Sequence, residues 1–507
     1  MRITRIMRII KWVVITLLTL GACAAVGIPL AHPEVLPPHR YHPRAVYYRL
    51  RGITVHPLVP VDPDKKQDLE VWETDWPVEA TGKVPYREFL KRLIAEFRGR
   101  YPNVSIECTF LPFGDSDERL RSALDMASPP DIYIGPFNPL VATSGLGVPL
   151  TVFLPEEQRA TLEPAALDLV TCRGNIWAWP RWIELWGWAG NASLLRRVGV
   201  DPEAIISDGW TWEEFLEIGR KLVQGNVSAG PGQKVYGLAL DTTRTDAFEH
   251  LLLNDGVPPL GWTRTQLAET AVFLENLRRE GITPPEPGEA SRELLKLFWE
   301  GRAAVIGPAG PALTRHLWER QARMRLRQAS SGAVTGVGAA NPIDSSLARV
   351  EPVLLPIPSR TQELRATPAA TVALHIFRRP GRGAAADERA RVAVELARHL
   401  ASGRGAWLAA RLKAVPASRA DQAWWADDFQ FGPLGGLFIR EGLKHARSVT
   451  PDLPGDVEKL DTLRKHVLGP ALAQFWHGRI NASQLAEEVD AGAAPGSPGP
   501  PGRPGQR

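Results

Sequence analysis

Between Gly174 and Asn191 the chain reads GNIWAWPRWIELWGWAGN, with Trp177, Trp179, Trp182, Trp186 and Trp188 inside twelve positions and a single carboxylate, Glu184, among them. Indole rings in such number either fill a core or line a place that holds something with a flat apolar face. Trp177 and Trp179 alternate with Ile176 and Ala178, the period of a strand with one face in a core. Trp182, Glu184, Trp186 and Trp188 follow Pro180 at a spacing of two, which places all four on one face of an extended segment. That face either contacts a ligand, with Glu184 and Trp186 foremost and Trp182 behind them, or packs beneath a second layer.

Other chemistry leaves little trace. No CxxC, HExxH, GxSxG or P-loop pattern occurs, which removes the common metal, serine-nucleophile and nucleotide signatures. His32, His39 and His42 have no companion Cys or carboxylate at ligand spacing, so neither a metal nor a cofactor is expected. Glu184 with Asp75 or Asp115 is a conceivable acid–base pair for glycoside hydrolysis, but nothing in the sequence sets their separation.

A chain of 507 residues is long for one domain and suggests two or three lobes. With 44% hydrophobic and 23% charged residues it has material for a sizeable core. The 60 Lys and Arg are interspersed with 56 acids and form no basic stripe, which argues against nucleic acid. Arg2, Arg5, Arg8 and Lys11 precede twenty uncharged residues, Trp12 to Ala31, so residues 1–31 read as a signal peptide or membrane anchor. Within them Leu20-Gly21-Ala22-Cys23 is similar to a lipobox, with Cys23 the acylated residue; an uncleaved anchor is the alternative, since twenty apolar residues just span a bilayer. Either way the remainder is expected outside the cytoplasm. Cys108 and Cys172 either pair or stand as two buried thiols.

Residues 32–65 are rich in Pro and His and read as a spacer, and residues 488–507 as a disordered Pro/Gly tail. Between them strand and helix patterns alternate. Strands are expected at 69–72, 104–108, 130–134, 234–240 and 302–306. Helices are expected at 85–100, where Tyr86, Phe89, Leu90, Leu93, Ile94 and Phe97 recur at three and four, and at 117–126, 265–280, 291–301 and across 385–412. Thr211 and Glu214 form a capping box for another helix reaching about Val223. Such alternation favours βαβ units and a mainly parallel sheet, whose ligands gather at the carboxyl ends of the strands.

These pieces, in this order, resemble the extracellular solute-binding proteins of bacterial ABC importers, in particular the sugar-binding group. The matching segments are Val71 to Trp76, Tyr86 to Arg100, Val104 to Cys108, Pro130 to Ile134, Gly174 to Asn191, Thr211 to Phe215, Tyr236-Gly237, Gly301 to Gly307 and Val415-Pro416, over roughly residues 66–487. The resemblance implies an α/β fold of two discontinuous lobes around a central cleft. It suggests 66–185 plus about 302–360 for lobe 1 and 186–301 plus about 361–487 for lobe 2, with crossings near 180–191, 300–310 and 355–370. It implies a monomer that captures a small ligand, a mono- or oligosaccharide, and hands it to permease subunits. The implied ligand-binding residues are Asp75, Trp76, Phe137, Asn138, Trp182, Glu184 and Trp186. The maltose binders carry an aromatic where this chain has Ala309, which sets malto-oligosaccharide specificity in question. A surface sensor of the same fold, and an anchored carbohydrate-active enzyme, stand as alternatives.

Overall fold

The computed structural model describes residues 42–76, 86–224, 234–285, 291–332, 350–381, 384–401, 406–427, 432–451 and 453–493. The N-terminal segment with Cys23, the first part of the spacer and the tail from 494 lie outside the described residues. Among the described residues no helix is long and apolar enough to cross a membrane.

Strands β1 (Gln67–Asp75), β2 (Val104–Pro112) and β3 (Ile132–Pro136) come first, then the short hairpin β4 (Thr171–Cys172) and β5 (Asn175–Ile176). One residue separates β6 (Ala178–Leu185) from β7 (Gly187–Asn191). There follow β8 (Tyr236–Leu240), β9 (Ala303–Ala309), β10 (Pro352–Leu355), β11 (Thr367–Ile376), β12 (Val415–Pro416) and β13 (Ala446–Ser448). The first sheet runs β12-β6-β11-β3-β1-β2, with β13 on β11; the second runs β10-β7-β9-β8. Each has its own layer of helices. Tyr86–Arg100 buries Tyr86, Leu90, Leu93, Ile94 and Phe97 against the first sheet, the three–four spacing of an amphipathic helix. Trp212–Gln224, Asp246–Asn254 and Arg264–Arg279 cover the second. Thr211 and Glu214 close the expected capping box, each side chain accepting from the other's backbone N–H, at 3.2 and 2.7 Å.

Several expectations are corrected. β9 and β10 pair with β7 and β8 in the second sheet, while β11, β12 and β13 return to the first. Residues 303–309 and 352–355 therefore go with the second lobe's sheet and 367–376 with the first, the reverse of the expected allotment, and no crossing occurs within 303–309. The other two expected crossings lie where they were placed, between β6 and β7 within 180–191 and between β10 and β11 within 355–370. The sheets are also mixed: β1, β2 and β3 are parallel, but β11 is antiparallel to β3 and β6, and β7 is antiparallel to β9 and β10. A strand arriving from the other lobe enters head to tail, and local periodicity does not carry that information. At the ends, Ala45 and Val55 are buried within the expected spacer. The last helix, Ala482–Ala493, buries Val489 inside the expected tail. Cys108 and Cys172 are not disulfide-bonded.

The crossing is tightly built. The Trp186 N–H donates to the Pro368 carbonyl of the first sheet at 2.9 Å, and Gly187 pairs with Ala309 of the second. A Cβ at 187 would run into the Leu355 carbonyl oxygen and the Phe438 ring, whereas a Cβ on Gly99, in the helix Tyr86–Arg100, would meet nothing. Gly187→Ala is expected to lower unfolding stability by about 1–3 kcal/mol through overpacking against backbone. Gly99→Ala is expected to raise it by about 0.5–1 kcal/mol through helix propensity. Urea titration of both variants checks the pair; an unchanged midpoint for Gly187→Ala would mean the crossing is slack.

Candidate functional site

At the carboxyl edge of the first sheet, β1 and β2 are parallel with Asp75 opposite Pro112, so Trp76 and Phe113 leave the sheet side by side. Asp75 accepts from Arg87 Nη2 at 2.5 Å, both side chains being exposed to solvent. Trp76 is only 7% exposed. Its indole N–H donates to Glu73 Oε1 at 3.3 Å, and its ring meets Trp182 edge-on at 5.3 Å.

Beneath these rings lies a charge pair that the sequence reading missed. Arg181 Nη1 donates to Glu73 at 3.3 and 3.5 Å and to the Tyr86 hydroxyl at 3.1 Å, with no solvent contact on either charged side chain. Burial pushes the Glu73 carboxyl up to about 7, against the Arg181 charge and the Tyr86 and Trp76 hydrogen bonds. Removing one partner of such a pair leaves an uncompensated charge, so the pair fixes both ends of the aromatic floor, Trp76 on β1 and Trp182 beside Arg181 on β6.

The crossing supplies the next groups. Trp182 is fully buried, a correction to its place on a ligand-facing surface; it reaches outward only through its indole N–H, 3.5 Å from Glu184 Oε1. Glu184 is half-buried, and burial pushes its carboxyl up to about 7, with the Trp182 N–H opposing. Trp186 is half-buried, tilted against His250 at 5.9 Å. A Cβ at Gly310 would fall inside its indole. Burial pushes His250 down to about 4. Trp188 does not share that face: it lies in the second core against Trp210 and Phe215, because the chain changes sheets at 186.

Phe137 and Asn138 follow β3. Phe137 stacks on the buried His375 at 5.6 Å, and the Asn138 backbone N–H donates to His375 Nε2 at 3.1 Å. The Asn138 side-chain oxygen caps Leu140 N–H at 3.0 Å. That amide oxygen is thus engaged in shaping its own loop, and Phe137 is the more available of the two.

Across from these strand ends, Arg121, in the first lobe's helix Ser116–Asp125, donates to Asp461 Oδ2 at 3.0 Å. Asp461 belongs to Pro454–Leu463, and the π-helical turn that follows carries Arg464. Arg464 clamps the buried Glu249 of the second lobe with three hydrogen bonds of 2.7–3.0 Å. The two lobes are thereby joined by charges as well as by backbone. Among the described residues no group of three His, Cys, Asp or Glu is placed to hold a metal ion.

Two lobes joined at a backbone crossing, with half-buried polar groups beside buried aromatics near strand ends, is the kind of arrangement in which α/β proteins receive ligands. The sequence agrees: residues 82–342, about half the chain, match the family model for bacterial extracellular solute-binding protein. The chain belongs to that family. This solute-binding protein superposes on the sugar-binding protein MalE from Xanthomonas citri with a TM-score of 0.60 at 16% identity, over 83% of this chain and 95% of that one. It is similar to an ABC substrate-binding protein from Listeria monocytogenes in complex with cycloalternan (TM-score 0.57, 15% identity, 85% and 98% covered). It is also similar to the maltose/maltodextrin-binding domain MalE from Bdellovibrio bacteriovorus bound to maltotriose (0.54, 18%, 84% and 98%). No curated protein matches it by sequence.

The raised Glu184 carboxyl sets a sign. Its folded value near 7 lies above the ordinary 4.5, so the folded state holds a proton that the unfolded chain has released between those values. The stability this gives is complete below about 4.5 and lost as pH rises through 7. Glu184→Gln in the solute-binding protein is therefore expected to match wild type at pH 4.5 and to exceed it at pH 8 by roughly 1–3 kcal/mol. Urea unfolding at the two pH values checks this; equal stability of the two proteins at pH 8 would show the carboxylate to be well solvated.

Proposed function

We propose that the protein is a membrane-tethered, extracytoplasmic receptor that captures a carbohydrate between its lobes and delivers it to the permease subunits of an ABC importer, acting as a monomer and without catalysis. The observation that carries this reading is the crossing itself, where half-buried Glu184 at the end of the first sheet's strand and half-buried Trp186 between the two sheets lie near a cluster of buried aromatics. A carboxylate accepts from vicinal hydroxyls, and an indole face stacks on the apolar side of a pyranose. Glu184 and Trp186 are the principal contacts. Asp75 supplies a second acceptor, Phe137 and Asn138 form the rim after β3, and Trp76 and Trp182 support the contacts from below. The ligands named for the Listeria and Bdellovibrio structures, cycloalternan and maltotriose, support the substrate class. The basic n-region and the Cys23 motif support the tether, by acylation or as an uncleaved anchor.

A thermal-shift screen against mono- and oligosaccharides, followed by calorimetry on Glu184→Ala and Trp186→Ala, tests the proposal. Losing a hydrogen bond to a charged group costs about 1.5–3 kcal/mol, so Glu184→Ala is expected to weaken binding roughly tenfold to hundredfold, with a comparable loss for Trp186→Ala. A sugar held equally well by both variants would place the site elsewhere; a hit among peptides or polyamines alone would discard the substrate class.

A further inference from the structure

We propose that Phe113 is the aromatic platform of the first lobe, on which a pyranose ring lies with its hydroxyl edge turned to the Asp75–Arg87 pair; this rests on the carbohydrate reading above. Trp76, the ring that the sequence points to at this edge, is 7% exposed and its N–H is engaged by Glu73, so it offers no free face. Phe113 does. The β1–β2 register sets it beside Trp76, ring centroids 5.4 Å apart at 67°, and 57% of its surface is exposed.

Exposure of one apolar side chain is ordinary, so its surroundings decide. Among the described residues the exposed aromatic rings are Phe113 and Tyr47. Tyr47 lies on the N-terminal helix Pro43–Leu50 with the Arg51 guanidinium over its ring, whereas Phe113 stands where a parallel strand ends, the place at which such sheets receive ligands. The polar groups at these strand ends are paired with each other. Arg87 is bound to Asp75 at 2.5 Å and its guanidinium also lies 4.6 Å over the Phe110 ring.

A paired acceptor and donor at the same strand ends as an open phenyl face match the amphipathic outline of a pyranose, whose C–H face is apolar and whose rim carries hydroxyls. A phenyl ring adds no polar handle of its own, so Asp75 and Arg87 determine which hydroxyl pattern is accepted. In the second sheet, Ala309 at the end of β9 is small and buried. The stacking surface of the cleft is thus carried by Phe113 on one side and Trp186 at the crossing.

The test uses full-length protein in detergent and calorimetry with maltose, maltotriose, cellobiose and trehalose, the tightest binder being carried to the variants. Phe113→Leu keeps an apolar cover over Trp76 but removes the π-face, whereas Phe113→Tyr keeps the face. The expected result is a roughly three- to tenfold weaker Kd for the Leu variant, the size of a lost aromatic contact, with the Tyr variant within about twofold of wild type and both ligand-free variants melting with wild type. Unchanged affinity of Phe113→Leu would overturn the platform and leave the carbohydrate reading standing. Equal weakening in both variants, together with a lowered melting temperature, would overturn it in favour of a packing role. No binding of any of the four sugars to wild type would overturn the platform and count against the carbohydrate reading itself.

Discussion

The polypeptide leaves one sheet at Leu185 and enters the other at Gly187, so a single residue, Trp186, spans the interval. Its backbone N–H belongs to the first sheet through Pro368, and the next residue belongs to the second through Ala309. A side chain on Gly187 would strike a carbonyl of β10, and one on Gly310 would displace the Trp186 indole. Both glycines are dictated by how closely the two sheets' strands approach at this point. Because the backbone hydrogen bonds of the crossing are satisfied on both sides, Trp186 is held by the folds of two lobes at once, with Glu184 two residues before it in the first sheet. Pre-organisation of that kind lowers the ordering cost of binding.

The charge arrangement follows the same division. The Glu73–Arg181 pair sits entirely within the first lobe, joins residues 108 apart in sequence and fixes the aromatic floor from below. The Arg121–Asp461 contact joins the lobes and is part-exposed. Exposed pairs contribute only about 0–1 kcal/mol and weaken with salt, so this contact biases the lobes toward each other without locking them. Hinge closure around a ligand needs such a bias to be small.

Local patterns carried the elements but not their partners. The helix Tyr86–Arg100, the Thr211–Glu214 cap and the strand at Ala303–Ala309 are written in spacing of three and four, in a capping box and in a short apolar run. Which sheet receives β9, β10 or β11 depends on long-range pairing that no such run encodes. The tryptophan stripe shows the limit most clearly. A period of two from Trp182 to Trp188 implies one face only while the segment stays in one sheet; at Trp186 it changes sheets, which separates Trp188 from Glu184. Phe113 and Arg181 escaped notice because neither has a local signal: the first depends on strand register and the second on a carboxylate from another strand.

In the proposed function, the crossing and the first sheet's strand ends form one ligand surface. Hydrogen–deuterium exchange with and without the sugar that gives the largest thermal shift tests it most directly. Added protection is expected in residues 184–188, 74–76 and 112–115, with no change in the separate groove lined by Trp212, Leu216, Arg264, Ala268 and Phe273. Protection confined to that groove, with the crossing unaffected at saturating sugar, would contradict a ligand surface at the crossing.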